Sequence, residues 1–157
     1  MKKKQWECLV LVVLIAGSIF YFSAQPALDS SKTSGVIVDF IIEHFYPDYD
    51  QLSVTDQEAL QTEVQNIVRK SAHFLIYAAL GFSLGLLINS FERTISVWWA
   101  QLVGSLYAVS DEIHQIFVEG RAGMWQDVLL DSAGVLAGIL IVCLIHKLIP
   151  KKKVENE

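Results

Sequence analysis

The sequence predicts an all-α integral membrane protein: a four-helix bundle with a short amphipathic helical segment in an outer loop. Three observations carry this. The 157 residues are 53% hydrophobic with a mean hydropathy of +0.41, too apolar for an ordinary soluble domain of this length. Four apolar stretches approach or reach the roughly 17–25 residues needed to cross a bilayer. The basic residues also divide unevenly between the segments that join those stretches.

The stretches run over about 6–22, 72–88, 97–118 and 128–149. The first follows Lys2-Lys3-Lys4 and precedes Ser23-Ala24, as a signal peptide would. Phe22 stands where a cleavage site wants a small residue, so the stretch reads as a retained helix. With four spans both termini share a side. That side carries 8 of the 12 basic residues and 4 acids, a charge of +4, whereas the other has 4 basic residues and 13 acids, a charge of −9. Positive charge stays inside. This places both termini, the loop around Arg93 and the charged tail 150–157 in the cytoplasm. The loop 23–66 and the turn Glu119–Gln126 then lie outside, and the whole is one membrane domain.

Within the outer loop, Val36, Ile37, Phe40, Ile41 and Phe45 recur at helical spacing between Gly35 and Tyr46, with Asp39 and Glu43 between them. Such a helix would lie on the outer leaflet or pack over the mouth of the bundle. Thr55-Asp56-Gln57-Glu58 has the form of a capping box. Leu60, Val64, Ile67 and Val68 follow with helical period, so that helix is expected to run into the second span. Gly81/Gly85 and Gly134/Gly138 are GxxxG pairs, and Gly104 with Ala108 repeats the spacing; all favour close backbone approach. Cys8 and Cys143 form neither a disulfide framework nor a metal spacing. Trp98-Trp99 reads as an inner aromatic belt and Trp125 as an outer anchor.

The chemistry collects at one depth. Ser110-Asp111-Glu112-Ile113-His114-Gln115 ends the third span, and ionisable groups there are costly enough to suggest a function. The first span ends in Ser23, Gln25 and Pro26, the second begins at Arg69-Lys70-Ser71-Ala72-His73, and the outer turn holds Arg121 ahead of Asp127 and Asp131. Arg69, His73 and Tyr77 share a helix face, as do Ser110 with His114 and Asp127 with Asp131. A carboxylate beside a histidine orients it for acid–base chemistry. Arg69, Lys70 and Arg121 suit a phosphate or carboxylate.

Plainer readings stand beside these. His73 and His114 can be packing residues, and Arg121–Asp127 a structural ion pair across a short turn. Asp127 and Asp131 lie near a helix N-terminus, where acids are favoured regardless of function. His73, Asp111, Glu112, His114, Asp127 and Asp131 include metal-ligand types, but no zinc spacing such as HExxH is present, so neither metal nor cofactor is expected. No nucleophile elbow or phosphate-cradling glycine loop occurs, and nothing points to nucleic acid.

Arg69-Lys70-Ser71-Ala72-His73-Phe74-Leu75-Ile76-Tyr77 resembles the "RKxxHFxxY" signature of VanZ-like membrane proteins. Ser110-Asp111-Glu112-Ile113-His114-Gln115-Ile116-Phe117, Gly120-Arg121, Asp127-Val128, Asp131 and Gly134 resemble that family's second block, and Phe22-Ser23-Ala24-Gln25-Pro26 its first polar step. The resemblance covers nearly the whole chain. It implies a bacterial cell-envelope protein, associated through the founding member with resistance to teicoplanin, a glycopeptide with a lipid tail.

Two functions follow as expectations. One is binding of a membrane lipid, a lipid-linked envelope precursor or a lipoglycopeptide at the outer-leaflet interface. Ser23, Gln25, Arg69, Lys70, Tyr77, Ser110, Gln115, Arg121 and Asp131 would form that site. The other is an outer-leaflet hydrolase or transferase, with His73 and His114 as acid and base oriented by Asp111, Glu112 or Asp127. The sequence leaves the oligomeric state open.

Overall fold

A computed structural model of the chain describes residues 2–91 and 97–148. Glu92, Arg93, Lys151, Lys152, Lys153, Glu155 and Glu157, which enter the charge argument, lie outside the described residues, as does Ile149 at the end of the fourth expected span. Among the described residues there are five α-helices and no strand: α1 (Lys3–Ser23), α2 (Ala27–Phe45), α3 (Val54–Ser90), α4 (Val97–Gln115) and α5 (Trp125–Leu148). A single 3-10 turn at Tyr49–Gln51 joins α2 to α3.

By length and composition, α1, α3 and α5 are each apolar enough to cross a membrane. Helix α4 is not among them, because its last turns hold Ser110, Asp111, Glu112, His114 and Gln115. It also stops at Gln115, three residues short of the expected span end at Val118. The polar residues of α4 are not spread around it. Asp111, Glu112 and Gln115 are buried against the other helices, while Leu102, Val103, Leu106, Val109 and Ile113 are exposed.

Helix α3 runs unbroken for 37 residues, as the joined helical periods predict. Its cap sits two residues earlier than the expected Thr55: Ser53 Oγ accepts the amide of Asp56 at 3.2 Å and donates to the Asp56 carboxylate at 2.6 Å. Helix α2 begins eight residues before the expected Gly35 and packs on the first half of α3. Val38 and Ile42, inside the predicted helix but outside its predicted apolar set, are the buried residues there, against Val64. Val36, Ile37, Phe40 and Phe45 stay exposed.

Helices α3 and α5 run in the same direction in constant register. Lys70 meets Asp127, His73 meets Asp131, and Asn89 meets His146. Glycine sets this register. A Cβ on Gly81 would overlap the carbonyl of Val135, one on Gly138 the carbonyl of Ala78, and one on Gly134 would lie 2.5 Å from the carbonyl oxygen of Phe74. Gly81, Gly134 and Gly138 thus join two helices of one chain, backbone to backbone, while Gly85 faces the Val142 side chain. Helices α1 and α4 run the opposite way: Gln5 Nε2 donates to the Ser90 carbonyl at one end, and Tyr107 OH to the Ala16 carbonyl at 2.7 Å in the middle. Tyr77, Leu80, Leu84, Val135 and Ile139 fill the centre, with Ile19, Ala100 and Ala108.

Candidate functional site

The site begins with Asp111. The wide apolar face of α4 points outward, so its carboxylate side turns toward α1 and α3. There Asp111 Oδ2 accepts from Ser23 Oγ at 2.9 Å, Tyr77 OH at 3.1 Å and Gln115 Nε2 at 3.3 Å. Three donors on one oxygen hold the group rigidly and compensate much of its desolvation. The other oxygen, Oδ1, has no hydrogen-bond partner in the protein. Beside it stands Asp131 of α5, fully buried, with neither carboxylate oxygen hydrogen-bonded. The nearest cation-forming group to it is His73, whose Nδ1 lies 3.6 Å from Asp131 Oδ2. One donor atom from each of His73, Asp111 and Asp131 can be chosen so that all three lie within 4.8 Å of one another.

The neighbouring charges are engaged elsewhere. Lys70 Nζ pairs with Asp127 at 3.0 Å across α3 and α5. Asp127 therefore takes Lys70 as its partner and not Arg121, against the turn ion pair that the sequence suggested. Arg121 instead donates from Nε to the carbonyl of Gln25 at 3.0 Å and from a terminal nitrogen to that of Phe22 at 3.3 Å. It closes the carbonyl end of α1, where cations are favoured. Gly120, with φ +73°, makes the turn that brings Arg121 there, and the Glu119 carbonyl receives the amide of Ala27 at 3.2 Å.

Other sequence candidates fall outside the cluster. Glu112 Oε2 accepts the Met124 amide at 2.8 Å and so anchors the entry to α5. His114 stacks on Phe20 of α1, with ring centroids 4.7 Å apart. It is not joined to Asp111 or His73, because it leaves α4 on another face. Ser110 is exposed and bonds back to the Tyr107 carbonyl at 2.7 Å.

Beside the cluster is a cavity of about 270 Å³ between α1, α2 and α3. Ile19, Ile37, Val68 and Ile76 form its apolar wall. Arg69, His73 and Arg121 are among its polar lining residues, with Ser30, Thr33 and Ser34 of α2. The three α2 residues were missed in the sequence, since hydroxyls in an outer loop look solvated and their helix had not been extended back to Ala27. Neither Arg69 nor Arg121 has a carboxylate within ion-pair distance among the described residues. Burial pushes the Arg121 guanidinium below its ordinary range, and the neighbouring charge of Arg69 pushes it further, only partly opposed by Asp111 and Glu112.

An all-helical membrane protein with a buried carboxylate–histidine cluster beside a cationic cavity is the class these features define. A family model described as VanZ/LLP1 matches residues 8–146, and the chain belongs to this family. No curated protein and no solved structure is matched by the chain.

Proposed function

We propose that this protein is a VanZ-like component of the bacterial cell envelope that binds the anionic end of a lipid-linked or lipidated envelope molecule at the outer-leaflet interface. On this reading it contributes to tolerance of teicoplanin-type lipoglycopeptides. The observation that carries the reading is the cavity in which two guanidiniums, Arg69 and Arg121, stand without carboxylate partners beside an apolar wall. Two like charges at a half-buried place call for an anion, and the wall beside them suits alkyl chain. At about 270 Å³ the cavity is below the roughly 300–1,000 Å³ of sites that enclose a whole small molecule. It fits a headgroup with the first methylenes of a lipid, and not a glycopeptide core.

The membrane arrangement belongs to the same proposal. Helices α1, α4, α5 and the second half of α3 form a four-helix transmembrane bundle with both termini cytoplasmic. The hairpin of α2 with the first half of α3 stands outside, and the exposed Val36 and Phe40 of α2 face the outer leaflet. Helix α4 serves as a span because its acids face protein and its apolar side faces lipid. In a Cys8→Ser/Cys143→Ser background, an impermeant thiol reagent applied to cells should label a cysteine at Asp50 and spare one at Ser90. The reverse pattern overturns the orientation.

Function is tested by profiling envelope lipids and teicoplanin tolerance together, in cells carrying wild type, Asp111→Asn or His73→Gln at matched protein levels. Binding predicts that tolerance falls in the variants while the set of lipid species is unchanged. A lipid species that appears or vanishes with His73 and Asp111 would establish an enzyme instead, and wild-type tolerance equal to that of cells lacking the protein removes the resistance role.

A further inference from the structure

We propose that His73, Asp111 and Asp131 form a binding site for one divalent transition-metal ion. Asp131 is fully buried and Asp111 is 4% exposed, and three of their four carboxylate oxygens lack a hydrogen-bond partner in the protein. Removing one carboxylate from water costs several kcal/mol, and two side by side also repel. Lys70 is paired with Asp127, and among the described residues neither Arg69 nor Arg121 comes within ion-pair distance of Asp111 or Asp131. What remains to compensate both acids is a proton or a metal.

Geometry favours the metal. His73 Nδ1 and Asp131 Oδ2 are 3.6 Å apart, too far for a hydrogen bond. Two donors each about 2.0–2.2 Å from one ion stand roughly 3–4 Å from each other, so this gap suits an ion between them. The donors of all three residues lie within 4.8 Å of one another. Asp111 carries the support that metal ligands have: Ser23, Tyr77 and Gln115 hold Oδ2 and so orient Oδ1. One imidazole and two carboxylates, with no thiolate, suit zinc, manganese or cobalt over calcium or magnesium. Three protein donors leave coordination positions for water or an anion. The sequence showed no metal motif because its ligands come from three helices.

The inference stands apart from lipid binding, since it is read on purified full-length protein in detergent without envelope lipid. Dialysed wild type titrated with Co²⁺ should bind one equivalent saturably, with visible absorption that Zn²⁺ or Mn²⁺ displaces. His73→Gln and Asp131→Asn should each weaken binding by roughly tenfold or more, whereas Glu63→Gln, an exposed acid on the outer part of α3, should bind as wild type. X-ray absorption on the cobalt-loaded wild type needs no variant, and should show one imidazole among oxygen neighbours. Absence of saturable binding, variants that bind like wild type, or a metal shell without imidazole would each overturn the site and leave a shared proton as the means of compensation.

Discussion

Gly138→Val is expected to lower the stability of the protein more than any single change at the polar site. The Cβ it adds would overlap the Ala78 carbonyl and lie 2.5 Å from the Phe82 amide nitrogen. These are backbone atoms of a continuous helix, which cannot rotate aside as a side chain does. Helices α3 and α5 would have to separate, and the pairs Lys70–Asp127 and His73–Asp131 lie on the same seam. The cost should sit at or above the ~3 kcal/mol upper end of ordinary overpacking. Thermal unfolding of detergent-solubilised protein, followed by size-exclusion chromatography, should show a midpoint lower by about 6–12 °C. Gly17→Ala is the control: nothing lies within 4 Å of its added Cβ, so its midpoint should stay near that of wild type. Equal midpoints for Gly138→Val and wild type would refute backbone contact at this seam.

That seam also shows what the sequence could convey. The GxxxG spacing announces close helix approach, and hydropathy announces α1, the second half of α3, α4 and α5, because both are properties of one segment. The choice of partner is not: nothing in Gly134 or Gly138 says that α3, and not another copy of the chain, lies against them. The same limit applies to the polar residues. Helical spacing puts Arg69, His73 and Tyr77 on one face, and along it Tyr77 meets Asp111, His73 lies beside Asp131 and Arg69 lines the cavity. Spacing sets Glu112 about 100° from Asp111, so the two need not share a partner, but it does not name Met124 as the partner of Glu112 or Phe20 as that of His114. A rotation of about 100° per residue separates neighbours on α4, and only the packing of α1 and α3 decides which rotation faces the centre. The Ser30, Thr33 and Ser34 wall was illegible for a related reason. Its meaning comes from the cavity across from it, and Ser34 stands 35 residues before Arg69, so no local pattern records their meeting.

Arg69→Gln should separate ligand binding from stability at the cavity. Arg69 makes no hydrogen bond or ion pair with the protein among the described residues, and its charge adds to the burial that already penalises Arg121. Removing it relieves repulsion, so the ligand-free variant should unfold at or slightly above the wild-type midpoint. An anion in the cavity loses a charge-assisted contact worth about 1.5–3 kcal/mol, which is about a tenfold to hundredfold loss of affinity. The readout is binding of a fluorescent polyprenyl phosphate to protein in detergent, with phosphatidylcholine as competitor. Arg121→Gln should lose affinity too, but with a lower unfolding midpoint, because its guanidinium also holds the carbonyls of Gln25 and Phe22. The two arginines thus differ in a way that a purely structural pair would not. If Arg69→Gln lowered the midpoint and left phosphate-lipid affinity intact, the cavity would be a packing feature and the anion-binding reading would fail.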